Sequence, residues 1–459
     1  MVNYGGGLFS TPSTLFQLAA DNITDEVSAL VIDIGSSSLR AGYAGDDTPK
    51  AIIPSAYGYI PPSPSPGDGD VAMNEAGSSE NAGKAKSYFG HSGPSIWRAN
   101  MEIGNPVSDG LISDFGPIPA LIRHALEDVM RCSASEHPVL ITEPSWNTPA
   151  NRERMAEIMF EEFQVPAFYI ANTSVLNTFA AGKGTALVID IGQSTASVVP
   201  VVDGFVLRKG LQYSSLPKLV HAHARHLLTA PNPIRPPAEL YPYQLIASKQ
   251  PVEANALPRY TLREDRLAGT TQSWREWYEA REVEEWVQSV AGVLDQGWND
   301  QLLQHRQPKQ YEFPTGFNAW FGPERFGVGE MYFLHSPQLA GNPNIPKHIP
   351  GLIIDSLKAC DPELRQVLIS NVVLTGGGSL FSGLADRLGA ELARSFPHVG
   401  VMQSMHCFKI QAPGNPIERR YGGWLGGSIL ASLGTFHQLW ISREEWQEHG
   451  KAIVGQRCK

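Results

Sequence analysis

Cysteine is scarce in this chain: four in 459 residues, Cys132, Cys360, Cys407 and Cys458, far apart and without paired spacing. That argues against a disulfide framework or a cysteine-built zinc site and for free thiols. Long apolar runs are missing too. No stretch of about 18 apolar residues is present, so no span of a bilayer is expected. The stretch from Met1 to Ser13 lacks the basic-then-apolar order of a secretory signal, and a cytosolic or nuclear location is expected from it. Basic residues are outnumbered, with 36 Lys and Arg against 46 Asp and Glu and a formal net charge of −10. This balance opposes non-specific attraction to a nucleic acid backbone, which needs a basic footprint. An acidic surface serves solubility and also suits basic partners. His221, His223 and His226 cluster without a Cys or carboxylate at ligand spacing, so they read as a helix face and not as a metal site.

What the chain does contain is one device written twice. Ala29-Leu30-Val31-Ile32-Asp33-Ile34-Gly35 recurs unchanged as Ala186-Leu187-Val188-Ile189-Asp190-Ile191-Gly192. Each copy is an apolar, β-branched run ending in Asp and Gly, then small hydroxyl residues, then a second apolar stretch. The pattern predicts a buried strand, a tight turn and a returning strand. A Ser- and Gly-rich turn presents backbone N–H groups and hydroxyls to an anion, and two facing turns would grip a polyphosphate from both sides. Two core strands that merely converged on Val and Ile would not repeat Asp and Gly as well.

The 42% hydrophobic content supports packed cores in two or three domains. Residues 1–24 read as a flexible tail. The first hairpin runs from Val27 to about Ala44. From Tyr59 to Gly93 the chain is rich in Pro, Ser and Gly, a composition that predicts a mobile insertion unable to build a core. Ile118, Leu121, Ile122, Ala125, Leu126 and Val129 recur at helical spacing. Pro138 to Glu143 reads as a strand, Asn147-Thr148-Pro149 as the start of a helix over Arg152 to Phe163, Ala167 to Ile170 as a strand, and Val175 to Ala181 as a helix before the second hairpin. From about Lys218 to Asn344 the clearest element is an acidic helix, Glu279 to Leu294. A strand, Val372-Val373-Leu374, then ends in Thr375-Gly376-Gly377-Gly378-Ser379 ahead of a helix from Gly383 to Phe396. Strand, glycine turn and helix together let the backbone lie flat against a nucleotide. The order describes an α/β protein of two related halves.

These three elements, in this order, resemble the actin, heat-shock chaperone and sugar kinase superfamily. Ala41-Gly42-Tyr43-Ala44-Gly45-Asp46-Asp47, the run from Glu136 to Glu143 and the run from Trp424 to Phe436 resemble actin stretches in particular. Thr142-Glu143-Pro144-Ser145-Trp146-Asn147 and Thr435-Phe436-His437-Gln438-Leu439-Trp440 are similar to the nuclear actin-related protein 4 type. The likeness covers most of residues 27–58, 101–210 and 350–459. It implies an actin-like fold of two related ribonuclease-H-like halves flanking a nucleotide cleft, each with an inserted smaller subdomain. Residues 25–54, 101–180 and 421–459 would form the first large subdomain and 55–100 its small one, with the low-complexity insertion. Residues 181–216 and 350–420 would form the second large subdomain and 217–349 a second, divergent small one.

The resemblance also implies a site. Gly35, Ser36, Ser37, Ser38 and Arg40 would hold the β- and γ-phosphates of ATP, facing Gly192, Gln193, Ser194 and Thr195. Arg40 stands where actins use Lys, which keeps the charge and changes its geometry. Asp33 and Asp190 match the carboxylates that hold the waters around Mg²⁺ or Ca²⁺. Gly376, Gly377, Gly378, Leu380 and Phe381 would pack on the adenosine, with Arg420 and Tyr421 on the base side and Glu285 at the ribose. Thr173 stands where actins place a water-orienting glutamine, Ser197 replaces a histidine, and Gln193 replaces an acid. Hydrolysis needs a group that orients the attacking water, so nucleotide binding with little or no turnover is expected. The family implied is a non-catalytic subunit of nuclear chromatin-remodelling, histone-exchange and histone acetyltransferase complexes. Its partners would be actin, a helical scaffold subunit, other actin-related proteins, and histones, nucleosome or linker DNA within a complex, with no membrane and no homo-filament. The Pro-, Ser- and Gly-rich insertion and the lack of a plug-like apolar loop between Gly341 and Pro350 weigh against the alternative, an actin-like filament-forming ATPase.

Overall fold

Runs of Val, Ile and Leu broken by a glycine turn build two copies of one sheet. The computed structural model describes residues 28–62, 86–333, 345–400 and 409–459. Its first hairpin pairs Leu30–Ile34 with Ser38–Tyr43, and its second pairs Ala186–Ile191 with Ala196–Val202, both antiparallel. The two turns close alike. Gly35 N–H donates to the Ser38 carbonyl at 3.0 Å, and Gly192 N–H to the Thr195 carbonyl at 2.9 Å.

The repeat extends to topology. The first sheet runs Ala51–Pro54, Ser38–Tyr43, Leu30–Ile34, Val139–Glu143, Ala167–Asn172 and Ile441–Ser442. The second runs Phe205–Val206, Ala196–Val202, Ala186–Ile191, Val372–Thr375 and Ile410–Gln411. In each, the first strand of the hairpin lies parallel to its other neighbour, with Ile32 opposite Ile141 and Ile189 opposite Leu374. Strands buried on both faces favour such near-continuous apolar runs. The carboxyl ends of the parallel strands lead into Gly35, Gly192 and Gly376, where open α/β sheets place their ligands. The protein is therefore α/β with a duplicated architecture.

Two helices join the halves. Thr173–Ala180 begins where the first sheet's strand ends, capped by the Asn172 side chain, which accepts from Ser174 N–H at 3.0 Å. Gly422–Ser432 packs across it. Glycine is obligatory at that crossing, because a Cβ on Gly426 would stand 1.9 Å from the Leu176 carbonyl oxygen.

Several expectations need correction. The Tyr59 to Gly93 stretch is not one structureless insertion: Tyr57–Ile60, Lys86–Tyr88 and Glu102–Gly104 form a three-stranded sheet. Its aromatic ends, among them Tyr57 and Phe89 stacked 5.6 Å apart, supply an apolar surface that the averaged composition hid. Residues 63–85 lie outside the described residues, as do the tail 1–24, Cys407 and the first part of the Gly341 to Pro350 stretch. The helix beginning Ile118–Arg123 widens into a π-helix over His124–Met130. That change of pitch turns Val129 outward, whereas the five apolar residues before it are buried. The acidic helix spans Gln272–Ser289, starting seven residues earlier than expected because Thr271 caps it, accepting from Trp274 N–H. It stops before Leu294, since Gly292 and Val293 donate instead to Arg325 and Ser382 carbonyls. Among the described residues no helix is long and apolar enough to cross a membrane.

Candidate functional site

The glycine turns of both sheets open on one cavity of about 370 Å³. Across it the two repeated turns touch, the Ser36 and Ser194 hydroxyls lying 2.7 Å apart. The first turn is braced from behind by Ser55 Oγ, which donates to the Gly35 carbonyl at 2.6 Å, and by Asn105 Nδ2, which donates to the Ser36 carbonyl at 2.9 Å. The third glycine run is dictated by close approach. Gly376 has φ +88°, and a Cβ there would lie 2.3 Å from Asp190 Oδ1; one on Gly378 would lie 2.6 Å from Ile191 Cγ2.

Of the residues expected at the site, Asp33, Gly35, Ser36, Ser37, Ser38, Arg40, Asp190, Gly192, Gln193, Ser194, Thr195, Gly376, Gly377, Gly378, Phe381, Arg420 and Tyr421 line the cavity, together with Thr173 and Ser197. Leu380 and Glu285 do not. Leu380 ends the 3₁₀ turn Gly377–Leu380, and the chain presents Phe381 instead. Glu285 is exposed on the helix Gln272–Ser289. That helix buries Val283, Trp286 and Val287, and this phase turns Arg281, Glu284 and Gln288 to the cavity. Their i, i+3, i+7 spacing was the available signal.

Glu284 occupies a defined place. Its carboxylate accepts from Gln193 Nε2 at 3.2 Å and from Gln288 Nε2 at 3.1 Å, and Gln288 Oε1 accepts from Arg420 Nη2 at 3.3 Å. The chain of contacts thus runs from the second repeated turn to the residue packed near Gly377. His221 also lines the cavity, which its reading as a plain helix face did not foresee. Burial holds its imidazole below the ordinary value, against an upward pull from Glu284.

The two repeated aspartates differ in state. Asp33 is satisfied: Thr142 Oγ1 donates to Oδ1 at 2.6 Å, and Arg40 Nη1 forms an ion pair with Oδ2. Arg40, expected to face phosphate, therefore commits one nitrogen to Asp33 and lies over the Tyr421 ring at 5.1 Å. Its Nε is buried with no partner. Asp190 has no such pairing, and burial, followed by repulsion from Asp33, pushes its carboxyl up to about 6 despite Arg40. A site with an unpaired arginine nitrogen and a carboxylate short of positive charge suits an anion accompanied by a divalent cation.

The sign of the Asp190 shift makes a prediction. Its pKa is raised on folding, so its ionised form penalises the native, ligand-free protein above about pH 6, and the penalty fades as pH falls towards 4 and the native carboxyl takes up its proton. Asp190→Asn is expected to stabilise the ligand-free protein by about 2–3 kcal/mol at pH 7.5. The gain should largely disappear by pH 4. Urea denaturation at both pH values reads this, and an equal gain at both would refute the electrostatic origin.

Comparison with known proteins agrees with this architecture. The family model described as Actin matches residues 24–459. Proteins named actin-related protein 4 from Mycosarcoma maydis, Emericella nidulans and Arabidopsis thaliana are 35%, 37% and 33% identical to the chain. The alignments cover 95%, 96% and 95% of this chain and 99%, 98% and 99% of those relatives. Duplicated sheets, a cleft between them and a match over nearly the whole length lead to one statement: the chain belongs to the actin family.

Proposed function

We propose that the protein is a structural, ATP-binding subunit of nuclear chromatin-remodelling, histone-exchange and histone acetyltransferase complexes, which binds nucleotide and hydrolyses it little or not at all. One observation carries the reading. The cavity keeps both hydroxyl-lined turns and the glycine cradle while its water-orienting positions hold only Thr173 and Ser197. A threonine or serine hydroxyl is too short to hold an attacking water where a glutamine or histidine would. The glycine run supports an adenine seat. Glu284 lies between that run and the second turn, where a nucleotide's sugar would lie, and its carboxylate suits hydroxyl donors. Asp190 and Asp33 would hold a hydrated Mg²⁺ or Ca²⁺, and the cation would neutralise the phosphates beside them.

The likeness to relatives named actin-related protein 4 supports an actin-related and not a conventional actin role; in such assemblies the protein would pair with actin on a helix of a scaffold subunit and engage histones, nucleosome or linker DNA alongside other actin-related proteins. The purified chain is expected to carry near-stoichiometric ATP whose γ-phosphate persists over hours, as read by nucleotide extraction and chromatography. Rapid phosphate release without partners would overturn the reading. Affinity purification from nuclear extract followed by mass spectrometry tests the partners, and recovery without actin or a helical scaffold subunit would count against them.

A further inference from the structure

The two repeated turns follow one heptapeptide and differ in what holds them from behind. In the first, every carbonyl of residues 35–38 faces a donor. Ser55 supplies two of these: its Oγ donates to the Gly35 carbonyl at 2.6 Å and its N–H to the Ser37 carbonyl at 3.2 Å. Asn105 Nδ2 donates to the Ser36 carbonyl at 2.9 Å, and Gly35 N–H to the Ser38 carbonyl at 3.0 Å. The Asn105 amide has one orientation, because its Oδ1 accepts from Val107 N–H at 3.0 Å. In the second turn Gly192 N–H holds the Thr195 carbonyl, and among the described residues no donor holds those of Gly192, Gln193 or Ser194.

The direction of those carbonyls fixes the N–H groups. A trans peptide is planar, with its C=O and the following N–H on opposite sides. The donors behind Gly35 and Ser36 therefore turn the N–H groups of Ser36 and Ser37 forward, towards the cavity that both residues line. Neither N–H has a protein acceptor among the described residues. Two successive N–H groups at a cavity wall form a nest for an anion. Reversing either peptide would put a carbonyl oxygen in their place, and that oxygen repels a phosphate. Ser55 is 0% exposed and follows the strand Ala51–Pro54, while Asn105 follows Glu102–Gly104, so the two donors reach the turn from separate elements. The second turn lacks such a brace and sends its Gln193 side chain to Glu284.

We propose that Ser55 and Asn105 are positioning residues for polyphosphate: they hold the first turn as a preformed nest, and the affinity gained from the β- and γ-phosphates depends on them. The inference rests on the nucleotide-binding reading above. Neither residue lines the cavity, so both act through the backbone of the turn. Donors fixed before a ligand arrives need no reordering when it binds. Without its carbonyl held, a peptide of the turn can rotate, and part of the binding energy goes into ordering it. That loss falls on the phosphates, since the glycine cradle that would seat the base follows a strand of the other sheet.

Two ligands that differ only in phosphate number separate this role from a general loss of stability. In the full chain, the dissociation constant of ATP is read from equilibrium binding of the radiolabelled nucleotide, and that of AMP from its competition with the label. Asn105→Ala and Ser55→Ala are each expected to weaken ATP about tenfold, the scale of one lost hydrogen bond, and AMP less than about twofold. Asn105 is exposed, so Asn105→Ala supplies the answer even where Ser55→Ala, at a buried position, does not fold. Equal weakening of ATP and AMP by Asn105→Ala, or no weakening of ATP, would overturn the positioning role and leave the binding reading standing. No labelled ATP bound in any form, wild type included, would overturn both.

Discussion

Gly426→Ala is expected to cost more than about 4 kcal/mol and to yield little soluble protein. The new Cβ would lie 1.9 Å from the Leu176 carbonyl oxygen and 2.4 Å from its carbonyl carbon. Both atoms are backbone of the helix Thr173–Ala180, so no side chain can swing aside and the helices must move apart. That movement would strip contacts from Trp424, which is fully buried and donates from Nε1 to the Val31 carbonyl at 3.0 Å. It would also displace Thr173 and Asn177, which line the cavity. Costs of this size arise from a short list of causes, and overpacking against fixed backbone is one of them. Gly423→Ala, on the same helix, is the control. Its Cβ would meet Thr173 Cγ2 at 3.5 Å, an ordinary contact, and less than about 1 kcal/mol is expected. Urea denaturation compares the two variants, and equal stability would refute the packing argument.

Arg387→Met is expected to cost about 3–5 kcal/mol through a different mechanism, the stranding of a buried charge. The Arg387 side chain is 0% exposed. Its Nη1 donates to Glu330 Oε2 at 2.8 Å and to the Gln296 carbonyl at 2.7 Å, its Nη2 to Glu330 Oε1 at 2.6 Å, and its Nε to Glu391 Oε1 at 2.7 Å. Methionine matches the stem and leaves Glu330, itself buried, without a countercharge. The guanidinium also fixes Leu384–Ser395, the helix after the glycine turn, to Glu324–Glu330. Adding Glu330→Gln to Arg387→Met is therefore expected to recover a large part of the loss, because it removes the stranded charge. A double variant no more stable than the single would show that packing, and not charge, dominates there.

The duplicated hairpins were legible in the chain because their signals are local. Alternating turn chemistry, β-branched runs and an unchanged heptapeptide set strand, turn and strand without reference to anything distant. The glycine run after Val372–Thr375 was legible for the same reason, and most of the expected site residues do line one cavity. Glu284 lines the cavity and Glu285 does not, because helix phase is set by what the helix packs against, here through Trp286 and Val287. The Tyr59 to Gly93 stretch was misread at its ends because composition averages over a segment, while Tyr59 and Lys86–Tyr88 each find a strand partner. Val129 turned outward because a π-helix changes the period on which its burial was argued.

By itself, then, the sequence determined the duplicated α/β plan, the three glycine turns and the residues carried on them, since each follows from neighbours within a few positions. Tertiary structure alone decided three other things. It paired Arg40 with Asp33 and left Asp190 without a full countercharge, a difference between two identical heptapeptides that arises only from what surrounds them. It made glycine obligatory at position 426, where two helices from distant parts of the chain cross. It also joined the Ser95 carbonyl to Gln244 and Tyr278, 149 and 183 residues away along the chain. Each depends on distances through space, and Coulomb energy, steric overlap and apolar burial act over those distances without regard to separation along the chain.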